Sequence, residues 1–246
     1  MAKETGLGAN FYLDGYDLSG DTGSLESISK ALNPIPMTGI DKLGHERKAG
    51  QLTGKIDWTS FFNPTNAHPP LKLVPRTDRI ASYWHRATLG APVASMVCKQ
   101  TDYAGTRDAA GALTFKVNTL SNAWWLDWGL GLTVGKRTDT AATNGSGVDF
   151  GASYVFGLQA YLQVFAFTGT SATVKIQQSS DNGAGDAYAD ITDGAFTLVT
   201  SAPQAQRIQT SRSQTIEQWL RIVTTGTFSS LVFAVHVTVN KTETQL

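Results

Sequence analysis

The sequence predicts an all-β fold with little helix, built from β-sandwich units, and three observations carry that prediction. Charged residues make up only 16% of the 246, against about 25% in an average globular domain. The polar share is filled instead by Thr, Ser, Asn, Gln and 24 glycines, a balance that suits strands joined by tight turns. Short alternating or β-branched runs recur along the chain, each bounded by turn residues.

Taken in order, Phe11 to Leu18 begins as an aromatic strand and turns at Asp14-Gly15, a hairpin dipeptide. Lys55 to Phe61 alternates polar and apolar residues with the period of a half-buried strand. His68 to Val74 predicts a helical turn or two, with proline at an early position and Pro75 keeping it short. Ile80 to His85 and Val93 to Lys99 read as strands joined by the turn Leu89-Gly90-Ala91-Pro92. After a loop over Ala104 to Gly111, Leu113 to Asn118 alternates cleanly. Trp124 to Val134 reads as a strand pair or one long bent strand.

Gly135 to Gly147 is small, polar and turn-rich, and is expected as a linker. Beyond it, strands are expected over Gln159 to Phe167, Thr173 to Gln178, Phe196 to Thr200, Gln206 to Thr210, Trp219 to Thr224 and Leu231 to Val239. Asp181-Asn182-Gly183, Asp193-Gly194 and Thr225-Gly226 supply the turns between them. Such spacing argues for a β-sandwich or jelly-roll. The resulting division is a β-domain over residues 1–136, a linker over 137–147 and a β-sandwich unit over 148–246. No clear internal repeat is present.

Asp21 to Gly54 fits neither unit's core. It holds five glycines, two prolines and the densest charge cluster of the chain, Asp41 to Lys48. A connection this long is uncommon in a compact domain unless it is functional or mobile. It reads either as a solvated loop or as an arm that orders against a neighbouring subunit. The second reading makes Ile40, Asp41, Lys42, His45, Glu46, Arg47 and Lys48 candidate interface residues.

Twenty basic and twenty acidic side chains cancel. Nothing here predicts general attraction to nucleic acid, which needs a basic excess. Near-neutrality also leaves little charge repulsion to oppose self-association. The one cysteine, Cys98, lies in an apolar run and is expected as a small buried hydrophobe. The first residues lack the apolar stretch and cleavage site of a signal peptide, and no run approaches the length of a membrane helix. Synthesis in a cytoplasm, with no membrane partner, is the expectation.

No catalytic pattern is complete. Asn144-Gly145-Ser146-Gly147 sets a serine between glycines but not on a strand-to-helix turn. His45, His68, His85 and His236 are scattered, so no zinc-ligand spacing exists. Asp181 to Asp186 alternates oxygen ligands with glycines, yet lacks the flanking helices and twelfth-position glutamate of a calcium loop. Gly135-Lys136-Arg137-Thr138 lacks the leading glycine of a phosphate loop. No spacing rule isolates a carboxylate pair for glycoside hydrolysis. Catalytic, cofactor and metal residues are therefore expected to be none. Trp124, Trp125 and Trp128 cluster; core packing, subunit contact and a sugar-stacking platform all use such residues.

Gly8-Ala9-Asn10-Phe11-Tyr12-Leu13-Asp14-Gly15-Tyr16-Asp17-Leu18-Ser19-Gly20-Asp21 resembles the opening of tail tube (major tail) proteins from long, non-contractile-tailed phages of actinobacteria. Thr38-Gly39-Ile40-Asp41, Gly54-Lys55-Ile56-Asp57-Trp58 and Phe61-Phe62-Asn63-Pro64 extend the likeness. Tyr161-Leu162-Gln163-Val164, Ile176 to Asp181 and Leu220-Arg221-Ile222 resemble a β-sandwich common among virion proteins. The resemblance implies a tube-type β-sandwich or barrel followed by a second sandwich. It also implies subunits stacked as rings in a virion tail, with other tail proteins and further copies of the chain as partners. Genomic DNA would pass through the lumen without specific binding. A capsid-decorating or minor tail protein with a carbohydrate-binding sandwich, and an enzyme, stay open as alternatives.

Overall fold

The computed structural model describes residues 4–243. Among them the chain is nearly all β and antiparallel, with one short helix. It divides into two compact units. The larger takes the chain up to Gly20, Ile80–Ser95 and everything from Asp127 onward; the smaller takes Asp21–Arg79 and Met96–Leu126.

The elements are, in order, β1 (Asn10–Leu13), β2 (Tyr16–Asp17), β3 (Thr22–Leu32), β4 (Ile35–Pro36), β5 (Arg47–Lys48) and β6 (Leu52–Phe61). There follow α1 (His68–Leu71), β7 (Arg79–Trp84), β8 (Pro92–Arg107), β9 (Leu113–Ser121) and β10 (Asp127–Gly131). The remainder are β11 (Arg137–Asp139), β12 (Thr143–Asn144), β13 (Val148–Asp149), β14 (Leu158–Ser179), β15 (Ala189–Ala195), β16 (Gln204–Gln209) and β17 (Trp219–Val239).

In the larger unit, β14 and β17 form one long antiparallel pair, from Leu158↔Val239 to Ser179↔Trp219. The sequence divides each of these strands in two, the later one at the expected Thr225-Gly226 turn. Instead the ladder runs through both places: Gly169 (φ +154°) lies at a register shift, and Gly226 (φ +123°) pairs in register with Ala172. A Cβ at Gly169 would lie 2.4 Å from the Phe228 Cα, so the partner strand leaves room only for glycine. Both halves of the pair contribute to one apolar core: Ala160, Leu162, Val164, Val235 and Val237 from one, Val174, Ile176, Leu220 and Ile222 from the other. This is the sandwich the sequence predicts.

The expected linker is not one. Arg137–Asp139 and Thr143–Asn144 are strands on the flank of β17. The Arg137 guanidinium grips Asp139 through Nε and Nη2, and Asp139 accepts a bond from Thr224 Oγ1. Side-chain pairing of this kind holds a segment whose small residues have no strand signature.

The reverse face of β14 is polar yet buried. The Gln163 amide accepts from Gly15 N–H at 2.6 Å and donates to the Ile80 carbonyl and Ser82 Oγ. Ser82, Ser95 and His236 continue the chain of bonds. Tyr161, stacked on His236, donates to Asp127 at 2.5 Å and accepts from Arg207. Asp14 and Gly15 both have positive φ, the hairpin-turn geometry that the dipeptide predicts. A Cβ at Gly15 would stand 2.2 Å from the Val164 carbonyl oxygen.

The smaller unit is a four-stranded sheet in the order β3-β6-β9-β8, antiparallel throughout. Its buried apolar side chains include Ile56, Trp58, Leu71, Met96, Cys98 and Val117. The short helix α1 carries proline in its first turn, as predicted, and Gln100 and the buried Arg79 bind its Leu71 and Pro70 carbonyls. The expected loop over Ala104 to Gly111 begins only after Arg107, because β8 stays paired with β9 from Cys98 to that residue, through one register shift between Gln100 and Asp102.

Candidate assembly surface

Asp21 to Gly54 is not a loop. Its two limbs pair as β3 and β6 from Thr22↔Ser60 to Leu32↔Leu52, and the ladder resumes in β4 and β5. Register shifts between Thr22 and Ser24 and between Leu25 and Ser27 break the two-residue period, which hides the strand from pattern reading. The ladder against β9 ends at Lys55↔Leu120. Beyond it the hairpin continues as two strands with no third among the described residues, and every residue from 30 to 49 is exposed.

This arm is more apolar than its charge cluster suggests. Leu32, Ile35 and Met37 are about half exposed, and Ile40 and Leu43 fully so. The tip is shaped by backbone bonds from Met37 N–H to the Glu46 carbonyl and from Lys42 N–H to the Gly39 carbonyl. The Glu46 N–H donates to Thr38 Oγ1 at 3.1 Å. Lys42 pairs with Asp41 at 3.3 Å, a contact between adjacent exposed residues that contributes little. The side chains of His45, Arg47 and Lys48 make no ion pair among the described residues.

The polar face of the sheet is cross-linked at the root of the arm. Glu26 on β3 accepts from Thr59 on β6 and pairs with Lys116 on β9 at 2.8 Å. The Lys116 bond holds the Glu26 carboxyl below its ordinary range. Lys55 pairs with the buried Asp57.

Ile40, Asp41, Lys42, His45 and Glu46 therefore sit at the arm's tip, and Arg47 and Lys48 in β5. Trp125 is half-buried near its root, with the Lys30 ammonium 4.9 Å over the ring. Trp124 and Trp125 do not alternate on a strand as expected: they follow Ala123, whose φ is +61°, in a bend. Trp128 lies on β10 in the larger unit, 48% exposed, with Tyr83 edge-on to it at 6.4 Å. Sequence reasoning passed over Leu32, Ile35, Met37 and Leu43; the signal was large apolar residues recurring inside a charge-rich segment.

Asp181 shows why its loop imitates a cation site. Its carboxylate accepts the backbone N–H groups of Ala184, Gly185 and Asp186, which hold its pKa below the usual range. The oxygens serve the turn.

No family model and no curated protein matches this sequence. Among solved structures, a chain from the virion of a native gene transfer agent particle is similar over 51% of this chain and 98% of its own, at 11% identity and TM-score 0.39. The SPP1 Dit (gp 19.1) protein, described as a paradigm of the hub adsorption apparatus in phages infecting Gram-positive bacteria, is similar over 94% of this chain and 99% of its own. Its identity is 12% and its TM-score 0.36.

Proposed function

We propose that this chain is a structural subunit of a long, non-contractile phage tail, polymerising into stacked rings that form the tube through which DNA passes. The observation that carries the reading is the arm: an ordered hairpin whose residues 30–49 are all exposed, five of them large and apolar. Exposed apolar side chains concentrated on one projecting element mark an interaction site. The resemblance of the sequence to tail tube proteins points to the same role.

The sheet from which the arm grows adds a second support. Its outer strands, β3 on one side and β8 beyond Gln100 on the other, are hydrogen-bonded to a single neighbour each. Such edges invite further pairing. Four antiparallel strands leave β3 and β8 running in opposite directions. A second copy in the same orientation therefore sets its β3 antiparallel to β8. Repeated head-to-tail, this contact closes a ring, and the arm is left to join one ring to the next.

Electron microscopy of the purified protein at rising concentration, with and without tail-tip seeds, tests this. Tubes or rings are expected, and deletion of Pro34 to Gly50 should leave a folded protein that no longer stacks. Monomers under every condition would overturn the reading. Trp128 and Tyr83 favour the alternative of a glycan-binding virion protein; glycan binding abolished by Trp128→Ala would support that alternative.

A further inference from the structure

The register of the smaller unit's sheet specifies how two copies meet, if its edges do join as the proposed function requires. Cross-strand partners can be followed from one edge to the other. Leu25 on β3 faces Trp58 on β6, Trp58 faces Val117 on β9, and Val117 faces Tyr103 on β8. One apolar row thus crosses the whole sheet. Its centre is fully buried, and its ends, Leu25 and Tyr103, are half-buried at the two edges. The adjacent row, Ser24–Thr59–Lys116–Ala104, is polar or small throughout and ends in two exposed residues.

Tyr103 is also the edge member of an aromatic group. Its ring stacks on Phe115 at 4.3 Å, and its hydroxyl is 2.9 Å from His68 Nδ1. The β8 edge therefore presents a ring already fixed in place, while the β3 edge presents Leu25 and, further along, the half-buried Ile28. Side chains on one face of a sheet keep a period of two, so a shift of one residue would set Tyr103 beside charged or polar partners.

We infer that β8 of one copy pairs with β3 of the next so that Tyr103 packs against the neighbour's Leu25, continuing the apolar row from subunit to subunit. The same register brings Ala104 opposite the neighbour's Ser24. Tyr103 and Leu25 supply specificity, because an aromatic–aliphatic cross-strand pair is favoured and the flanking row is silent.

Two single-cysteine additions test the register, Ser24→Cys and Ala104→Cys, each made in the full chain. The native Cys98 is buried. Facing residues on antiparallel strands have Cα atoms about 4.5–5.5 Å apart, within the span of a disulfide. Under mild oxidation a covalent dimer should form in the mixture of the two variants and in neither alone. Cross-linking of Ser24→Cys to Asp102→Cys or Thr106→Cys, but not to Ala104→Cys, would overturn this register and leave the ring intact. Dimers of Ser24→Cys with itself would mean two-fold pairing of β3, which overturns the head-to-tail contact. Rings seen by microscopy without any of these cross-links would show that the edges do not meet. As a second measure, Tyr103→Asp should abolish ring formation where Tyr103→Phe retains it; equal assembly by both would refute the seat.

Discussion

Two long antiparallel strand pairs dominate this chain, and they are put to opposite uses. The β14–β17 pair is covered on both faces of its first half, by an apolar core on one side and a hydrogen-bonded polar layer on the other. The β3–β6 hairpin leaves its sheet and ends in twenty consecutive exposed residues, 30–49. Both are antiparallel ladders with bulges, so local backbone chemistry does not distinguish them. What differs is where the apolar side chains go. In the first they meet each other; in the second Ile40 and Leu43 stand fully exposed.

The largest effect should come from the buried pair. Leu162 is fully buried in the sandwich core, and Leu162→Ala should cost about 2–5 kcal/mol through lost burial and the cavity left behind. In a chain of this length each kcal/mol lowers the melting temperature by about 2–4 °C. Thermal denaturation followed by circular dichroism reads this directly. A loss under about 1 kcal/mol would mean that the core relaxes around Leu162, and the contrast between the two pairs would weaken.

The polar layer gives the next effect, and it depends on pH. His236 is fully buried, and burial lowers its pKa from 6.5 to about 3. Its ring faces Ser95, Thr238 and the Tyr161 ring, whose hydroxyl bonds Asp127 and Arg207. The neutral imidazole is the folded form. Its contribution is present in full above the unfolded pKa and is lost as pH falls towards the folded one. Between pH 8 and pH 5 the loss should be about 2 kcal/mol. Urea titrations at the two pH values measure it. A His236→Asn variant, less stable at pH 8, should lose less on acidification; an identical pH dependence would assign the effect to other groups.

How much of this was legible beforehand follows the same contrast. The β1–β2 turn could be read because Asp14-Gly15 satisfies a backbone need that few dipeptides meet. The proline-opened turn at His68 was equally local. The sandwich strands are legible from β-branched runs, but the sequence cuts each long strand in two, because Thr225-Gly226 looks like a turn yet pairs in register, and the ladder passes through the shift at Gly169. The arm is legible from its charge and glycine content, but its strands are not, since two register shifts erase the alternation of Leu25, Ile28 and Leu32. Trp124 and Trp125 were misplaced because nothing in their own chemistry shows that Ala123 takes a left-handed conformation. The polar layer was invisible: Gln163, Ser95, His236 and Asp127 are brought together by tertiary structure alone.

The smallest effect on stability should come from the arm, with the largest effect on assembly. Ile40 and Leu43 are fully exposed, so the double variant Ile40→Ser, Leu43→Ser should change unfolding free energy by less than about 0.5 kcal/mol. If the arm joins rings, the same variant loses the apolar area that a neighbour would cover, at roughly 25 cal/mol per Å². Two such side chains, each repeated around a ring, then decide whether rings stack. Sedimentation velocity separates the two quantities: the sedimentation coefficient of the smallest species should be unchanged while the fast-sedimenting tubes disappear. Tubes that persist in the double variant would leave the arm without an assembly role and reduce the difference between the two strand pairs to solvent exposure alone. Tubes that vanish together with a several-degree drop in melting temperature would show instead that the tip supports its own fold.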